Sequence, residues 1–268
     1  MERLIRLLTL KPIILGLIGM LISGTAFPLA GVIIIRNSLI PLRYTLMHGV
    51  ILGGIFSIAF GLPLIPVVIA INLLLVLVLV FTNKEKSGGL STVSTAMMVC
   101  TMGLASLLSH VFDVPSKDTL ELLWGSPFTL TAGDLAILIT LSAILIVYVT
   151  VFFKQISMVF FDTDIAVSMG VNVRRHNFIM LIITALVISV AMKMIGVLLI
   201  DALVVLPVVA AGKKAKGLKD LFIKSSITGF AVSFIGYFAA LIFNLPVSGV
   251  LAVISIILLI IFSIGENK

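Results

Sequence analysis

The sequence predicts an all-α protein that crosses a membrane about eight or nine times, and three observations support this fold class. Of its 268 residues, 61% are hydrophobic and only 11% are charged, a composition that water-soluble globular domains do not have. Several apolar runs reach the roughly 20 residues that an α-helix needs to cross the hydrocarbon core of a bilayer. The alternating segments of roughly ten residues that build a transmembrane β-barrel are not found.

The apolar runs define the candidate spans, whose order along the chain is 13–35, 45–62, 63–81, 90–111, 131–153, 178–192, 195–211, 221–243 and 246–264. Gly61 and Pro63 predict a tight turn between the second and third spans. Gly196 interrupts the region 178–211. This region is therefore interpreted as two spans, as one long kinked helix, or as a broken pair that includes a re-entrant piece.

Lysine and arginine residues predict which loops face the cytoplasm. A count of nine spans places on one side the four loops that carry most of these residues, namely 36–43, 82–89, 154–177 and 212–224. The opposite side receives 112–130, where acidic residues outnumber basic ones. The same count places the N-terminus outside, although the basic lead-in 1–11 favours the inside, so this tail is interpreted as lying on the membrane surface.

Several classes of function are excluded by what the chain lacks. The net charge of +7 does not indicate nucleic-acid binding, because the basic residues lie in short loops where topology explains them. Cys100 is the single cysteine, which excludes an internal disulfide. The only Gly-Lys pair, Gly212–Lys213, has Pro207 in place of the first glycine of a Walker loop and Lys214 in place of its Ser or Thr. The usual hydrolase motifs are also missing.

We interpret residues 1–268 as a single transmembrane permease domain. Residues 12–153 hold the first five spans, 154–177 form a cytoplasmic segment, and 178–265 hold the remaining spans. The segment 154–177 mixes apolar and charged residues between runs that suit hydrocarbon, which indicates a surface offered to another protein. That pattern favours a permease driven by a separate soluble motor, and a helix that lies on lipid headgroups is the alternative.

Ionisable residues inside apolar runs are candidate functional residues, because each costs roughly 3 kcal/mol to insert at mid-bilayer. Asp201 lies well inside such a run, His48 lies near the start of the second span, and Lys193 lies between the sixth and seventh spans. Asp201 and His48 each allow two interpretations. The Asp201 carboxyl group either interacts with a neighbouring residue or lines a hydrated path for cations. His48 is either a packing residue or a weak ligand of Zn²⁺ or Mn²⁺.

Three sequence blocks match patterns that occur together in one family of membrane proteins. The first reads GVIIIR at 31–36, SLI at 38–40 and HGVILGG at 48–54, and it is similar to the family pattern LRR-x-SL followed by SHAVLPGIALG. The second reads LWGSPFTLT at 123–131 and DL at 134–135, and it is similar to LFG-x-x-L-x-(I/V)-S followed by DL.

The third block is the most specific. It reads FDTDIAVSMG at 161–170 and KMIGVLLIDALVVLP at 193–207, and it resembles FDPEFAxAxG followed by KxVGxLLVxALLxLPAAxA. The resemblance extends over roughly residues 13–265 as a pattern.

Together the three blocks resemble the permease subunits of zinc and manganese ABC importers. This resemblance implies the fold of a type-II ABC importer permease in the prokaryotic plasma membrane. Its expected partners are a second permease copy, an ABC ATPase and an extracytoplasmic metal-binding protein. It implies a permease rather than an enzyme, with no permanent cofactor, that transports zinc as the first choice and manganese as the second. The residues that match the ATPase-coupling segment are Phe161, Asp162, Asp164, Ala166 and Gly170. We expect its apolar residues Phe160, Ile165 and Met169 to enter a groove of the ATPase.

The chain departs from the family at two positions that bear on the metal. Many members carry Asp four residues before the motif histidine, where this chain has Tyr44, while Asp201 stands where a small residue is usual. We therefore hypothesise that the acidic ligand has moved to the seventh span and that His48 and Asp201 meet near the translocation path. The departure also leaves the choice of cargo open.

Three alternatives remain at this point. The first is a proton- or sodium-coupled secondary transporter in which Asp201 is the coupling carboxylate. The second is a membrane-embedded enzyme, for which the chain lacks a plausible catalytic triad. The third is an ABC permease for another solute or a metal chelate. The acidic loop 112–130 is either a contact for the binding protein or a solvated loop.

Overall fold

The computed structural model describes residues 9–82, 89–115 and 126–264, and every regular element in these ranges is helical. The α-helices follow in chain order: α1 Lys11–Arg36, α2 Ile40–Phe60, α3 Leu64–Thr82, α4 Gly89–Val111, α5 Ala132–Val151, α6 Phe153–Phe161, α7 Thr163–Ser168, α8 Val173–Ile195, α9 Val197–Ile200, α10 Leu206–Gly212, α11 Leu218–Phe243 and α12 Val247–Ile264. A 3-10 turn, Pro127–Thr129, precedes α5, and a π-helical segment, Asp201–Val205, joins α9 to α10.

Eight of the described helices are long and apolar enough to cross a membrane, which confirms the all-α polytopic fold class. The break expected near Gly196 is also present, since this glycine separates α8 from α9 with φ at 92°. Beyond it the chain runs through pieces of 4, 5 and 7 residues. At about 1.5 Å per residue these pieces extend over roughly 24 Å, which is shorter than the roughly 30 Å hydrocarbon core.

The chain divides into two compact units. The first unit comprises 1–32, 124–146 and 194–268, and the second comprises 33–123 and 147–193. Three predicted features lie outside the described residues: most of the basic lead-in, the lysines of 82–89, and positions 116–125 of the acidic loop. The side chain of Lys193 lies outside them too.

Small residues hold the first unit together where α1 meets α11. A Cβ atom built on Gly24 would overlap the Ser233 hydroxyl, and one built on Gly229 would overlap the Gly24 carbonyl oxygen. Nearby, the Ser226 hydroxyl donates to the Thr25 carbonyl over 2.7 Å. Close backbone approach of this kind replaces the hydrophobic driving force that helices lack in lipid.

The second unit packs α2 against α3 and α4. Gly61 ends α2 in the left-handed conformation with φ at 63°, which confirms the tight turn expected before α3. The Ser57 hydroxyl donates to the Leu62 carbonyl across this turn over 2.6 Å. On the other face, the Thr45 hydroxyl donates to the Ser94 carbonyl of α4 over 2.6 Å.

The predicted loop 36–43 is shorter in the structure, and Arg43 does not lie in it. Helix α1 ends at Arg36 and α2 begins at Ile40, because Ser38 turns the chain with φ at 54°. Arg43 is thus a helical residue that is only 4% exposed, and its guanidinium lies 4.4 Å from the centre of the Tyr44 ring. The positive charge expected in a loop is therefore packed against an aromatic face.

The Asp of the second sequence block has a structural role. The backbone N–H and the hydroxyl of Thr131 both donate to the Asp134 carboxylate, over 3.0 and 2.8 Å. The Asp134 N–H donates in return to the Thr131 hydroxyl over 3.1 Å. This reciprocal arrangement is a capping box, and it fixes the start of α5.

Candidate functional site

The predicted coupling segment runs from α6 to the start of α8, and its central helix α7 begins with a side-chain cap. Asp162 is the N-cap residue of α7, and its Oδ1 accepts the backbone N–H groups of Asp164 and Ile165 over 2.8 and 2.9 Å. The first amides of a helix have no partner within it, so this carboxylate both satisfies two of them and complements the helix dipole. The residue order Phe-Asp-Thr-Asp therefore ends α6 and starts α7.

Gly170 ends α7 in a Schellman motif. Its φ is 80°, its N–H donates to the Val167 carbonyl, and the Val171 N–H donates to the Ala166 carbonyl, each over 2.9 Å. Nothing lies within 4 Å of a Cβ atom built on Gly170. Glycine is therefore required here for its backbone conformation and not for lack of space.

A second cap starts the next span immediately. The Asn172 side-chain oxygen accepts the backbone N–H of Arg175 over 3.0 Å, which marks Asn172 as the N-cap of α8. Between Asp162 and Asn172 the residues thus define the start of α7, its end, and the start of α8. These three signals explain why a separate helix of 6 residues is found here.

Helix α7 and the residues directly before and after it carry large apolar side chains that the chain leaves exposed. Phe161 is 82% exposed, Met169 65%, Val167 61% and Ile165 48%, whereas Ala166 is fully buried. We call these four exposed side chains the α7 apolar surface. Phe160, which was expected to share it, is half-buried, and Phe161 is exposed in its place.

A buried polar contact that the sequence did not indicate joins the end of α5 to the start of α8, on either side of the predicted coupling segment. The Tyr148 hydroxyl lies 3.1 Å from Nδ1 of His176, and both residues are less than 9% exposed. The Phe152 ring meets the imidazole edge-on with the ring centres 5.5 Å apart. Position 176 falls in the predicted cytoplasmic segment 154–177, whereas His176 is a buried residue of α8 that contacts α5.

His48 is half-buried on α2 with its ring orientation fixed from within the helix. Its Nδ1 lies 2.8 Å from the Tyr44 carbonyl oxygen. A carbonyl oxygen only accepts, so Nδ1 carries the proton and Nε2 of the neutral ring keeps its lone pair. Histidines that bind metals are commonly held in this way by a backbone carbonyl. Tyr44 thus contributes its backbone where the family pattern has an acidic side chain.

Asp201 is the first residue of the π segment and is half-buried. Pro207 supplies the physical reason for the segment: it has no N–H, and its ring would clash with the carbonyl four residues earlier in a regular helix. The chain widens instead, and the Leu206 N–H donates to the Asp201 carbonyl five residues back. Such π segments inside α-helices often occur at functional sites.

Among the described residues, no three His, Cys, Asp or Glu side chains gather as a metal site would require. His48 lies in the second unit and Asp201 in the first. Their meeting near a translocation path stays a prediction.

A second buried polar contact was also missed. Asn72 Nδ2 donates to the Ser189 hydroxyl over 2.7 Å, and that hydroxyl donates to the Ala185 carbonyl over 2.6 Å. The single proton of the Ser189 hydroxyl is already donated to Ala185, so the Asn72 amide must direct its NH₂ group to Ser189. The amide oxygen of Asn72 then faces Gly49, and a Cβ atom built on Gly49 would overlap this oxygen. An Asn inside an apolar run was the only sequence signal for this contact.

Comparison with known proteins gives a family match and several relatives. The sequence model described as "ABC 3 transport family" matches residues 10–266. The chain is 28% identical over 96% of its length to an uncharacterized membrane protein of Cyanophora paradoxa, covering 86% of it. It is 26% identical over 94% of its length to the manganese import system permease protein ScaB of Streptococcus gordonii, covering 91% of it. It is 27% identical over 87% of its length to the high-affinity zinc uptake system membrane protein ZnuB of Buchnera aphidicola, covering 89% of it.

One solved structure has the same fold. It is PsaBC from Streptococcus pneumoniae in complex with Fab, and it aligns with a TM-score of 0.81 over 97% of this chain and 94% of its own. The two sequences are 23% identical, so the match speaks for the fold.

Proposed function

Because this chain belongs to the ABC 3 transport family, we propose that it is the membrane permease subunit of an ATP-driven importer for a divalent transition-metal ion. It forms the translocation path and carries no ATP-hydrolysing site of its own. The chain is a multi-pass membrane protein, and it is a permease rather than an enzyme. A prokaryotic plasma membrane is the location that this family implies.

The observation that supports ATPase coupling most directly is the α7 apolar surface. Ile165 and Val167 stand exposed on a short helix that is capped at both ends, and Phe161 and Met169 stand exposed just before and just after it. All four lie outside the eight helices that are long enough to span a bilayer. An apolar helix surface of this kind fits a groove on a partner protein. ATP binding in that partner would move α7, and the permease would respond by exchanging outward- and inward-facing forms.

Each residue predicted for coupling has a distinct part in this proposal. Phe161 enters the ATPase groove, while Asp162 and Gly170 hold α7 in shape from its two ends. Ala166 packs inward, because it is the fully buried residue of the helix. Asp164 lies exposed in the first turn, where its charge complements the helix dipole.

His48 and Asp201 are the residues that we assign to the cation path. An imidazole nitrogen and a carboxylate oxygen suit both Zn²⁺ and Mn²⁺, and a path needs weak ligands so that the ion leaves again. Relatives named for manganese and for zinc are similarly distant from this chain, at 26% and 27% identity. The two ions are therefore both cargo candidates.

The proposed assembly contains two permease copies, two ATPase subunits and an extracytoplasmic binding protein that delivers the ion. The family is one of ABC transport, and the manganese relative is named as the permease protein of an import system. A permease that is one component of a system works with other subunits. Both names therefore support an assembly in which this chain has partner chains.

The decisive experiment is ATP-dependent uptake by the assembled transporter. The permease is purified from its own cells with the ATPase that accompanies it, reconstituted in vesicles, and assayed with zinc and manganese in parallel. We expect uptake of at least one ion only when ATP is supplied. Uptake driven by a proton or sodium gradient without ATP would instead establish the secondary transporter.

A pair of variants tests the coupling surface within the same assay. Val167→Asp places a charge in the α7 apolar surface and should abolish both ATPase association and uptake. Val167→Leu keeps the surface apolar and should retain both.

Asp201→Asn together with His48→Ala tests the proposed cation path. Unchanged uptake by that double variant would remove both residues from the mechanism.

A further inference from the structure

The π segment leaves one buried carbonyl without either of its usual backbone donors. In a regular α-helix the Ala202 carbonyl would accept the N–H of Leu206, but that N–H is directed to Asp201 instead. In a π-helical turn it would accept the N–H of residue 207, which is proline and has none. A buried carbonyl in this state destabilises the fold unless another donor reaches it.

Ser255 supplies that donor from a different helix. Its hydroxyl donates to the Ala202 carbonyl over 3.0 Å, and the side chain is only 1% exposed in the middle of α12. The contact joins residues 53 positions apart within the first unit. The serine in this strongly apolar helix thus supplies the hydrogen bond that the Ala202 carbonyl lacks within the segment beginning at Asp201.

A glycine on α1 allows the backbone of that helix to pack closely against the same π segment. A Cβ atom built on Gly31 would overlap the Val204 carbonyl oxygen, two residues beyond Ala202. The π segment is therefore held by direct backbone packing against α1 and by a hydrogen bond from α12. Its shape is set by these two neighbours and by Pro207.

We propose that Ser255 is a positioning residue for transport: it fixes the π segment and thereby the direction of the Asp201 carboxylate. The part of this inference that concerns the cation rests on the proposed function, in which Asp201 contacts the ion. The structural part, that Ser255 is needed because Pro207 cannot donate, stands apart from any transport activity.

A double-variant comparison separates these parts. Pro207→Ala restores an N–H at position 207, which can serve the Ala202 carbonyl or allow a regular helix to form. Ser255→Ala should therefore lower the thermal unfolding temperature of the purified permease in the native background, and lower it little further in the Pro207→Ala background. Ser255→Thr keeps the hydroxyl and should behave as the parent. Ser263→Ala, on the same helix and half-buried, is the matched control.

The apparent affinity for the cation can be measured separately, because a loss of stability alone does not change it. We expect Ser255→Ala to raise the uptake KM on the order of tenfold per folded transporter, as outer partners of metal ligands commonly do, and Ser255→Thr to restore it. An unchanged KM would overturn the positioning role. Equal loss of stability by Ser255→Ala in both backgrounds would overturn the link to Pro207.

Two further outcomes are informative. If Ser255→Ala alone does not fold, recovery of folded protein in the double variant with Pro207→Ala supports the inference, and continued failure overturns it. If the parent protein takes up no metal, the proposed function fails and the cation part of the inference fails with it, whereas the stability comparison still tests the structural part.

Discussion

The Tyr148 hydroxyl lies 3.1 Å from Nδ1 of His176, although the two residues stand 28 positions apart in the sequence. Tyr148 belongs to the last turn of α5 and His176 to the first turn of α8, so this contact closes the chain around the coupling segment. The contact therefore links the two helix ends that border this segment.

Tyr148→Phe removes the hydroxyl and keeps the ring packed against Phe152. We expect the free energy of unfolding to fall by about 1 kcal/mol, the usual net value of one hydrogen bond. Transport per ATP hydrolysed should fall as well, because the base of the coupling segment is loosened. Denaturation in detergent and coupled uptake measurements check the two effects.

A double-mutant cycle with His176→Phe isolates this contact, since the second variant should cost little once Tyr148→Phe is present. Additive losses from Tyr148→Phe and His176→Phe would contradict the hydrogen bond.

Gly49→Ala is expected to damage the second unit although it adds a single methyl group. The new Cβ atom would overlap the Asn72 amide oxygen, so the amide must move and its bond to Ser189 weakens. We expect a loss of about 1–3 kcal/mol in the free energy of unfolding, as in other overpacked sites. Denaturation of the purified variant measures it.

Gly103→Ala is the matched control for this substitution, because nothing lies within 4 Å of its Cβ position on α4. It should be neutral or stabilising by up to about 1 kcal/mol from helix propensity. Equal effects of the two alanines would show that Gly49 is not a packing position.

Gly170→Ala forces a side chain into the left-handed conformation that ends α7. We expect it to cost about 1 kcal/mol locally and to reduce ATPase association, while Gly170→Asn, which tolerates this conformation better, costs less. Co-purification of the ATPase with each variant measures the effect.

Gly217→Ala provides the comparison, since Gly217 has extended backbone with φ at 176° and open space at its Cβ position. Retention of ATPase by Gly170→Ala at the level of Gly217→Ala would argue against the Schellman motif as a requirement for coupling.

Substitutions at Asp162 separate its capping role from its charge. Asp162→Ala loses the two backbone hydrogen bonds and should destabilise the start of α7 by about 1 kcal/mol, with weaker ATPase binding as the consequence. Asp162→Asn keeps an oxygen in the same place and should bind the ATPase almost as the parent does. A loss in Asp162→Asn as large as in Asp162→Ala would mean that the partner recognises the charge. Binding affinity to the purified ATPase is the measurement.

The sequence carries enough information for the helices and their ends. Apolar length predicts spans, and local signals such as Gly61 and Gly196 predict where the backbone turns or breaks, because these effects depend on nearby residues alone. Asp162 and Gly170 stood out in the sequence by their match to the family pattern, and the structure shows that both are capping residues.

Contacts between helices were beyond sequence reasoning. A helix that is apolar on every side gives no indication of its rotation, so the partners of Asn72, Tyr148 and Ser255 could not be assigned. Arg43 was misplaced because its loop was taken as longer than the turn at Ser38 allows. The break near Gly196 was predicted, but the π segment Asp201–Val205 was not, since its register depends on neighbours on other helices.

The crossing of α1 and α11 has a mechanical consequence. Gly24 and Gly229 leave no room for one additional carbon atom between the two backbones. Axial sliding would bring bulkier neighbours into that gap and meet steep repulsion, so the pair is expected to travel as a single rod. Flexing during a transport cycle should therefore concentrate away from this crossing.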